Sequence, residues 1–157
     1  MPTALELVTL AQVAAYVNRP RFRGYAGTGQ TLTSGADSLI EVNTITFDNA
    51  AAFDTATFLY QCPAAGYWRV SGQVRADPTA SGQVLGAKIY RNGAEQTEGL
   101  FSQTGGAGGA WSSVVSDIFV CNVGDTIGLY SYCSAALTTY VSQYDSYLTI
   151  EFLGSYA

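Results

Sequence analysis

Few side chains in this chain are equipped to do chemistry. Histidine is absent from the 157 residues, which removes imidazole-based triads, imidazole zinc sites and the commonest general base together. Three cysteines, Cys62, Cys121 and Cys133, stand at spacings that match no metal motif. They read as buried reduced thiols on strands, with an intrachain pair or a bond between subunits as the alternatives. Twelve acidic residues supply carboxylates, but no spacing sets a pair apart for glycoside hydrolysis. Asp48, Asp54 and Asp77 are the loop carboxylates a calcium ion would need. Nothing like the oxygen-ligand spacing of an EF-hand loop surrounds them, and solvated carboxylates are the simpler account. Gly105 to Gly109 is not followed by the Lys-Ser/Thr of a phosphate loop and reads as a mobile hairpin or binding-loop tip. The expectation is a protein with no catalytic residue, no metal and no cofactor.

Composition narrows the class further. Only 12% of residues are charged, 13% are aromatic, and Lys88 is the single lysine. With Gly, Ser and Thr plentiful, this suits an all-β domain with many turns, and the length suits one domain. So little charge also implies that part of the surface is covered by a partner. A net charge of −5 argues against nucleic acid. The one basic group, Arg19, Arg21 and Arg23, alternates along a probable strand and is too small for a phosphate-binding stripe. Glu6 interrupts the first apolar run and no basic n-region precedes it, so no secretory signal is expected. No stretch is long enough to span a membrane. Synthesis in a cytoplasm is the simplest reading.

The elements that must position these residues are organised around Phe58 to Ala76. Pro63 to Gly66 supplies turn chemistry between a strand ending near Cys62 and a second strand, Tyr67 to Ala76. In that second strand Trp68, Val70, Gly72 and Val74 fall on one face, and Tyr67, Arg69, Ser71, Gln73 and Arg75 on the other. Gly72 on the inner face leaves room for a large neighbour, expected to be an aromatic of a facing sheet. Upstream, a strand is expected over 21–26 and a turn over 27–35. Two short pieces follow at 39–42 and 44–47, then a loop over 48–54. Downstream, strands are expected over 84–90, 111–121, 126–134 and 144–153. Asn92-Gly93 is a hairpin turn, because both residues tolerate positive φ. In the last strand Leu148, Ile150 and Phe152 alternate with Tyr147, Thr149 and Glu151. Short strands at this spacing predict a β-sandwich or jelly roll.

Residues 1–19 differ from the domain expected over 20–157. Leu5, Leu7 and Val8 form a short apolar segment, and Thr9 with Gln12 makes a capping box. Leu10, Val13, Ala14 and Val17 then share one helical face, and Asn18 and Pro20 end it. A helix this short must pack on something. It either folds back on its own domain or docks a neighbouring subunit or scaffold through Leu5, Leu7, Leu10, Val13, Tyr16 and Val17.

Three segments together resemble the complement C1q and tumour-necrosis-factor superfamily, in its C1q-like branch. Phe58, Pro63, Gly66, Trp68 and Val70 lie in a run similar to that family's Phe-x-Cys-Pro-x-x-Gly-x-Tyr-x-Phe signature. Ile118 to Leu129, with Gly124-Asp125, is similar to its strand–Gly-Asp/Glu–strand hairpin. Leu148 to Leu153, with Phe152, is similar to its closing strand, although Ile150 replaces the expected Gly. The likeness covers about Arg21 to Leu153. It implies a jelly roll of about ten strands in a homotrimer that binds proteins or glycans and catalyses nothing. Domains similar to this also occur in bacteriophage virions, and a chain without a collagen-like stalk or secretory signal fits that setting. Six tyrosines, Tyr130, Tyr132, Tyr140, Tyr144, Tyr147 and Tyr156, crowd the last strands. Tyrosine suits subunit interfaces and sugar-binding faces. Tyr67, Arg69, Tyr147 and Glu151 are therefore expected at the trimer axis. The functional expectation is a capsid decoration or head-fibre component on the virion surface, bound to the major capsid protein or another virion protein. The alternative is a tail-associated tip recognising host surface glycan or protein, and a weaker third is a bacterial adhesin or lectin-like module.

Overall fold

The computed structural model of the chain describes Val13 and residues 18–77, 80–99, 102–103 and 109–156. These form β1 (Arg21–Tyr25), β2 (Thr31–Leu32), β3 (Asp37–Leu39), β4 (Thr44–Asp48), β5 (Phe53–Asp54), β6 (Leu59–Gln61) and β7 (Gly66–Ala76) in the first half. The second half adds β8 (Val84–Arg91), β9 (Ala94–Glu98), β10 (Ser102–Gln103), β11 (Trp111–Cys121), β12 (Thr126–Cys133), β13 (Leu137–Thr138) and β14 (Tyr147–Gly154). A five-stranded sheet in the order β11-β7-β14-β1-β4 packs on a second sheet, β10-β8-β12-β6-β5, to which β3 and β9 add at β12 and β8. A small β13-β2 pair completes a jelly-roll sandwich. The strand count exceeds the expected ten because pieces of two residues are held by register alone. β5 lies inside the predicted 48–54 loop and β2 inside the predicted 27–35 turn.

The central strand β7 alternates as its sequence predicts. Gly66, Trp68, Val70, Gly72, Val74 and Ala76 are buried, and Tyr67 and Arg69 are exposed. Burial of Trp68 is completed by a hydrogen bond from its Nε1 to Ala64 O at 3.2 Å. Aromatic rings then run from sheet to sheet. Phe53 stacks on Phe22 at 4.4 Å, Phe22 meets Tyr60 at 5.7 Å, Tyr60 meets Trp68 edge-on at 5.8 Å, and Trp68 meets Phe152 at 4.9 Å. Each such pair adds about 0.5–1.5 kcal/mol beyond the area it buries.

Several expectations need correction. The large neighbour over Gly72 is Leu129 of β12, not an aromatic: a Cβ there would lie 2.6 Å from Leu129 Cδ1. Phe58 does not open a strand. It closes a turn at φ 58°, its N–H donating to Asp54 O at 2.8 Å, and its ring packs on the core from the side. The 39–42 piece leaves its strand after Leu39: Ile40 N still donates to Leu129 O at 2.8 Å, and Ile40 and Val42 are buried outside any strand. The last strand starts at Tyr147, because residues 142–145 form a turn in which Ser142 Oγ donates to Asp145 at 2.6 Å. The hairpin at Asn92 (φ 52°) and Gly93 (φ 76°) is as the dipeptide predicts. Residues 105–108 of the glycine-rich loop lie outside the described residues.

The fit between β7 and β12 is testable at Gly72. Gly72→Ala is expected to destabilise the fold by about 1–3 kcal/mol in urea titration, because the methyl has no space beneath Leu129. Adding Leu129→Ala is expected to cost less than the sum of the two single changes, since the new methyl then fills part of the cavity.

Candidate functional site

The outer face of the five-stranded sheet is built by strand register. One row across it is Ile118, Arg69, Glu151 and Arg21; the next is Ser116, Ser71, Thr149, Arg23 and Phe47; a third is Val114, Gln73, Tyr147 and Tyr25. Val120 lies beside Tyr67, whose ring meets Tyr156 edge-on at 6.4 Å. Tyr67, Val114, Ile118 and Val120 are between 39% and 50% exposed, and Ile45 and Phe47 of the edge strand β4 are exposed as well. Interspersed polar groups are internally paired. Glu151 bridges Arg21 at 3.4 Å and Arg69 at 3.5 Å, and Arg23 donates to Thr149 Oγ1 at 3.1 Å while lying 4.4 Å over the Tyr147 ring. The face therefore offers apolar area along β11 beside small and internally compensated polar groups. Nothing on it resembles a nucleophile with a base.

The other sheet treats its outer face differently. Lys88 of β8 is nearly buried there, with Nζ 3.2 Å from Asp37, 2.9 Å from Glu95 and 2.9 Å from Glu98, and 5.7 Å over the Tyr132 ring. Burial works against its charge, but the hydrogen bonds to Glu98, Glu95 and Asp37 outweigh that and hold the ammonium above the usual lysine range. Tyr90 stacks on Tyr130 at 4.1 Å and donates to Asp37; burial and that bond push its hydroxyl up to about 12. None of the exposed large apolar side chains among the described residues belongs to this sheet. One face is thus closed by a charge cluster and the other is open and apolar.

The two ends of the sandwich differ too. At one pole the incoming chain is tied down, with Phe152 N donating to Pro20 O at 3.0 Å and Asn49 Nδ2 to Arg19 O at 2.8 Å. The turns at 62–66 and 122–125 share that pole, since Cys62 N donates to Asp125 O at 2.7 Å. At the opposite pole Ala26 N donates to Ser146 O at 2.9 Å and Ala76 bridges Thr139. There a cavity of about 360 Å³ is lined by Gly29, Asp77 and residues 138–141. Tyr140 donates to Asp77 at 2.9 Å, and its ring lies 4.9 Å beneath the Arg75 guanidinium.

The sequence-predicted residues separate accordingly. Tyr67, Arg69, Tyr147 and Glu151 come together on the outer face, whereas Val114, Ile118 and Val120 were not singled out. Both faces of β11 mix apolar and polar residues, so a period of two does not say which face is out. Of the motif residues expected in the core, Trp68, Val70, Gly66 and Leu148 are buried and Phe152 packs against them. Pro63, Gly124 and Asp125 of the same motifs lie in the two turns. Pro63 and Gly124 (φ 88°) are exposed, and Asp125 accepts Asn92 Nδ2 at 2.8 Å and Asn122 N at 2.9 Å. Those bonds hold its carboxyl below the ordinary range, Asn92 contributing most. Val13 is helical and exposed; Leu5, Leu7, Leu10, Tyr16 and Val17 lie outside the described residues. The loop carboxylates bind their own surroundings. Asp48 accepts Ala52 N and Phe53 N at 2.8 Å each, and Asp54 accepts Ala56 N at 2.8 Å. Among the described residues no three His, Cys, Asp or Glu are grouped as a metal site, and no helix is long and apolar enough to cross a membrane.

No family model and no curated protein matches the chain. Solved structures do match in fold. Murine APRIL superposes with a TM-score of 0.68 at 11% identity, covering 86% of this chain and 99% of that one. Eiger TNF from S. frugiperda gives 0.67 at 11% identity over 88% and 93% of the two chains. The globular domain of zebrafish complement 1qA gives 0.69 at 7% identity over 88% and 99%. At such identities the likeness establishes the jelly-roll fold.

The closed face makes its own prediction. Lys88→Met leaves Asp37, Glu95 and Glu98 facing one another without a cation, and is expected to cost about 3 kcal/mol at neutral pH in denaturant titration. A raised lysine pKa contributes stability fully present below the unfolded value of about 10.4 and lost only as pH rises through the higher folded value. The gap between wild type and variant is thus expected to persist from pH 7 to about pH 10 and to close above it.

Proposed function

We propose that this chain is a non-enzymatic, homotrimeric structural protein displayed on a phage particle, as a capsid decoration or head-fibre component. The observation that carries the reading is the outer face of the five-stranded sheet, where Tyr67, Val114, Ile118 and Val120 stay exposed beside a fully packed interior. Their area is what association would remove from water, at about 25 cal/mol per Å² of apolar surface. The closed, charge-paired face around Lys88 supports the choice of sheet, because a surface already satisfied internally has less to gain from a partner. Resemblance to the C1q-like branch supports three copies as the number and virion display as the setting; both are analogy from fold.

The polarity of the domain supports attachment through residues 1–19, including Leu5, Leu7, Leu10, Val13, Tyr16 and Val17. The chain enters at the pole opposite the Tyr140–Asp77 cavity, so docking at the first pole would point the second outward. That cavity, with an aromatic ring, a carboxylate and threonine hydroxyls, favours the second reading, a tail-associated tip that recognises host glycan or protein.

Two measurements test these proposals. Ile118→Lys combined with Val120→Lys is expected to yield a lone subunit in sedimentation velocity with an unchanged circular dichroism spectrum, because both positions are open in a single copy. A wild-type chain that sediments as one subunit at micromolar concentration would remove the proposal outright. Deleting residues 2–19 is expected to leave association intact and abolish binding to purified particles. Retention of the truncated chain on particles would place the docking surface elsewhere.

A further inference from the structure

We infer that the cavity at the pole away from the entering chain is a binding site for one neutral N-acetylated sugar ring, which rests on the second reading above, recognition of a host through this pole. The cavity, about 360 Å³, is lined by Gly29, Asp77, Thr138, Thr139, Tyr140 and Val141. That volume is near the lower bound for small-molecule pockets and suits a single ring with a short substituent. Its walls are fixed by bonds that reach away from it. Thr139 N donates to Gln30 O and Tyr140 N to Arg75 O, both at 2.9 Å, and Gln30 N donates to Thr139 Oγ1 at 3.1 Å. Arg75 in turn is ion-paired with Asp145, which also accepts Ser142 Oγ at 2.6 Å. Thr139 and Asp145 are buried. A site held in this way has little freedom left to lose when a ligand enters.

The lining sets the chemistry of the ligand. Two methyl groups converge on the bare backbone at Gly29, where a Cβ would lie 3.6 Å from Thr138 Cγ2 and 3.8 Å from Val141 Cγ1. With the Tyr140 ring they make the cavity largely apolar. The charged group in it is Asp77, an exposed carboxylate that accepts the Tyr140 hydroxyl at 2.9 Å and keeps capacity for further donors. Arg75, the cation beside it, is already committed to Asp145 and lies 4.9 Å over the Tyr140 ring. An anionic ligand would therefore meet Asp77 without a free counter-charge, on a chain of net charge −5. A cationic ligand would meet Arg75 across the same ring. What remains is a neutral ligand that brings its own donors. A sugar ring does so, with hydroxyls at its edge and C–H groups on a face that packs on an aromatic ring. An acetamido substituent adds an N–H for Asp77 and a methyl for the apolar wall of Thr138 and Val141, two features that a plain hexose lacks.

The test is saturation-transfer NMR on the folded, full-length chain, with N-acetylglucosamine, glucose and N-acetylneuraminic acid as probes. N-acetylglucosamine is expected to bind with a Kd of about 1 mM, its acetyl methyl receiving the strongest transfer. Glucose, which lacks the acetamido group, and N-acetylneuraminic acid, which carries a carboxylate, are each expected to bind about tenfold more weakly. Asp77→Ala removes the acceptor at an exposed position, and Val141→Trp fills the cavity from a position 48% exposed. Each is expected to keep the circular dichroism spectrum and to weaken N-acetylglucosamine binding about tenfold or more. One folded variant is enough if the other does not fold. Equal binding of glucose, preference for the acid, no binding of N-acetylglucosamine, or its unchanged binding to a folded variant would each overturn the inference. Binding of a host protein at this pole with no response to sugar would overturn it too, and would leave the wider reading of a recognition tip standing. Particles that attach normally to the host without this chain would remove that reading instead, and the sugar site would stand on its own titration.

Discussion

Two β-sheets hold together only where their inner faces interdigitate, and here that contact is made by rings. Phe53, Phe22, Tyr60, Trp68 and Phe152 succeed one another across the interface, each contributed by a different strand. Trp68, which joins Tyr60 to Phe152 in the series, has its indole N–H satisfied by Ala64 O in the turn just before its own strand. The same turn sets β7 in position, because a Cβ at Gly66 would lie 2.2 Å from Gly154 O. Turn, central strand and core are therefore one unit. With such an interior closed, whatever apolar surface remains outside has no further use within a single copy.

That remainder is distributed unevenly, and the unevenness carries the functional reading. The seven-stranded sheet spends a buried lysine and three carboxylates on closing its exterior. Breaking such a cluster is costly, so the face is specified as a finished surface rather than one awaiting a partner. The five-stranded sheet leaves a valine, an isoleucine and a second valine facing outward along its edge strand β11, beside Tyr67. An open apolar edge strand invites pairing or packing with another chain. Association of like copies is the reading that removes this hazard, and it leaves the polar sheet and the loop pole free.

The two poles divide the remaining work. One gathers the entering chain, the Pro63 and Gly124 turns and the bond from Arg91 to Val120 O, all near the place where strands cross between sheets. The other gathers the Tyr140–Asp77 cavity and the Arg75–Asp145 pair. Loops at the free end of a rigid sandwich are the usual place for recognition.

Trp68, Val70 and Val74 announced β7 because strict alternation with Arg69 and Arg75 leaves one choice of inner face. Asn92-Gly93 announced its hairpin because only residues tolerant of positive φ fit both central positions. An all-β sandwich and the chain order of its long strands were therefore legible in local chemistry. Local chemistry was silent where two faces of one strand look alike. Ser113 and Val115 go in while Val114 and Ile118 go out, and only the pairing of β11 with β7 decides between them. Lys88 meets its three carboxylates across sequence distances that composition and period do not encode. Those contacts exist because β3 pairs with β12 and β9 with β8 in one sheet, which is a property of the assembled sheet and of no segment within it.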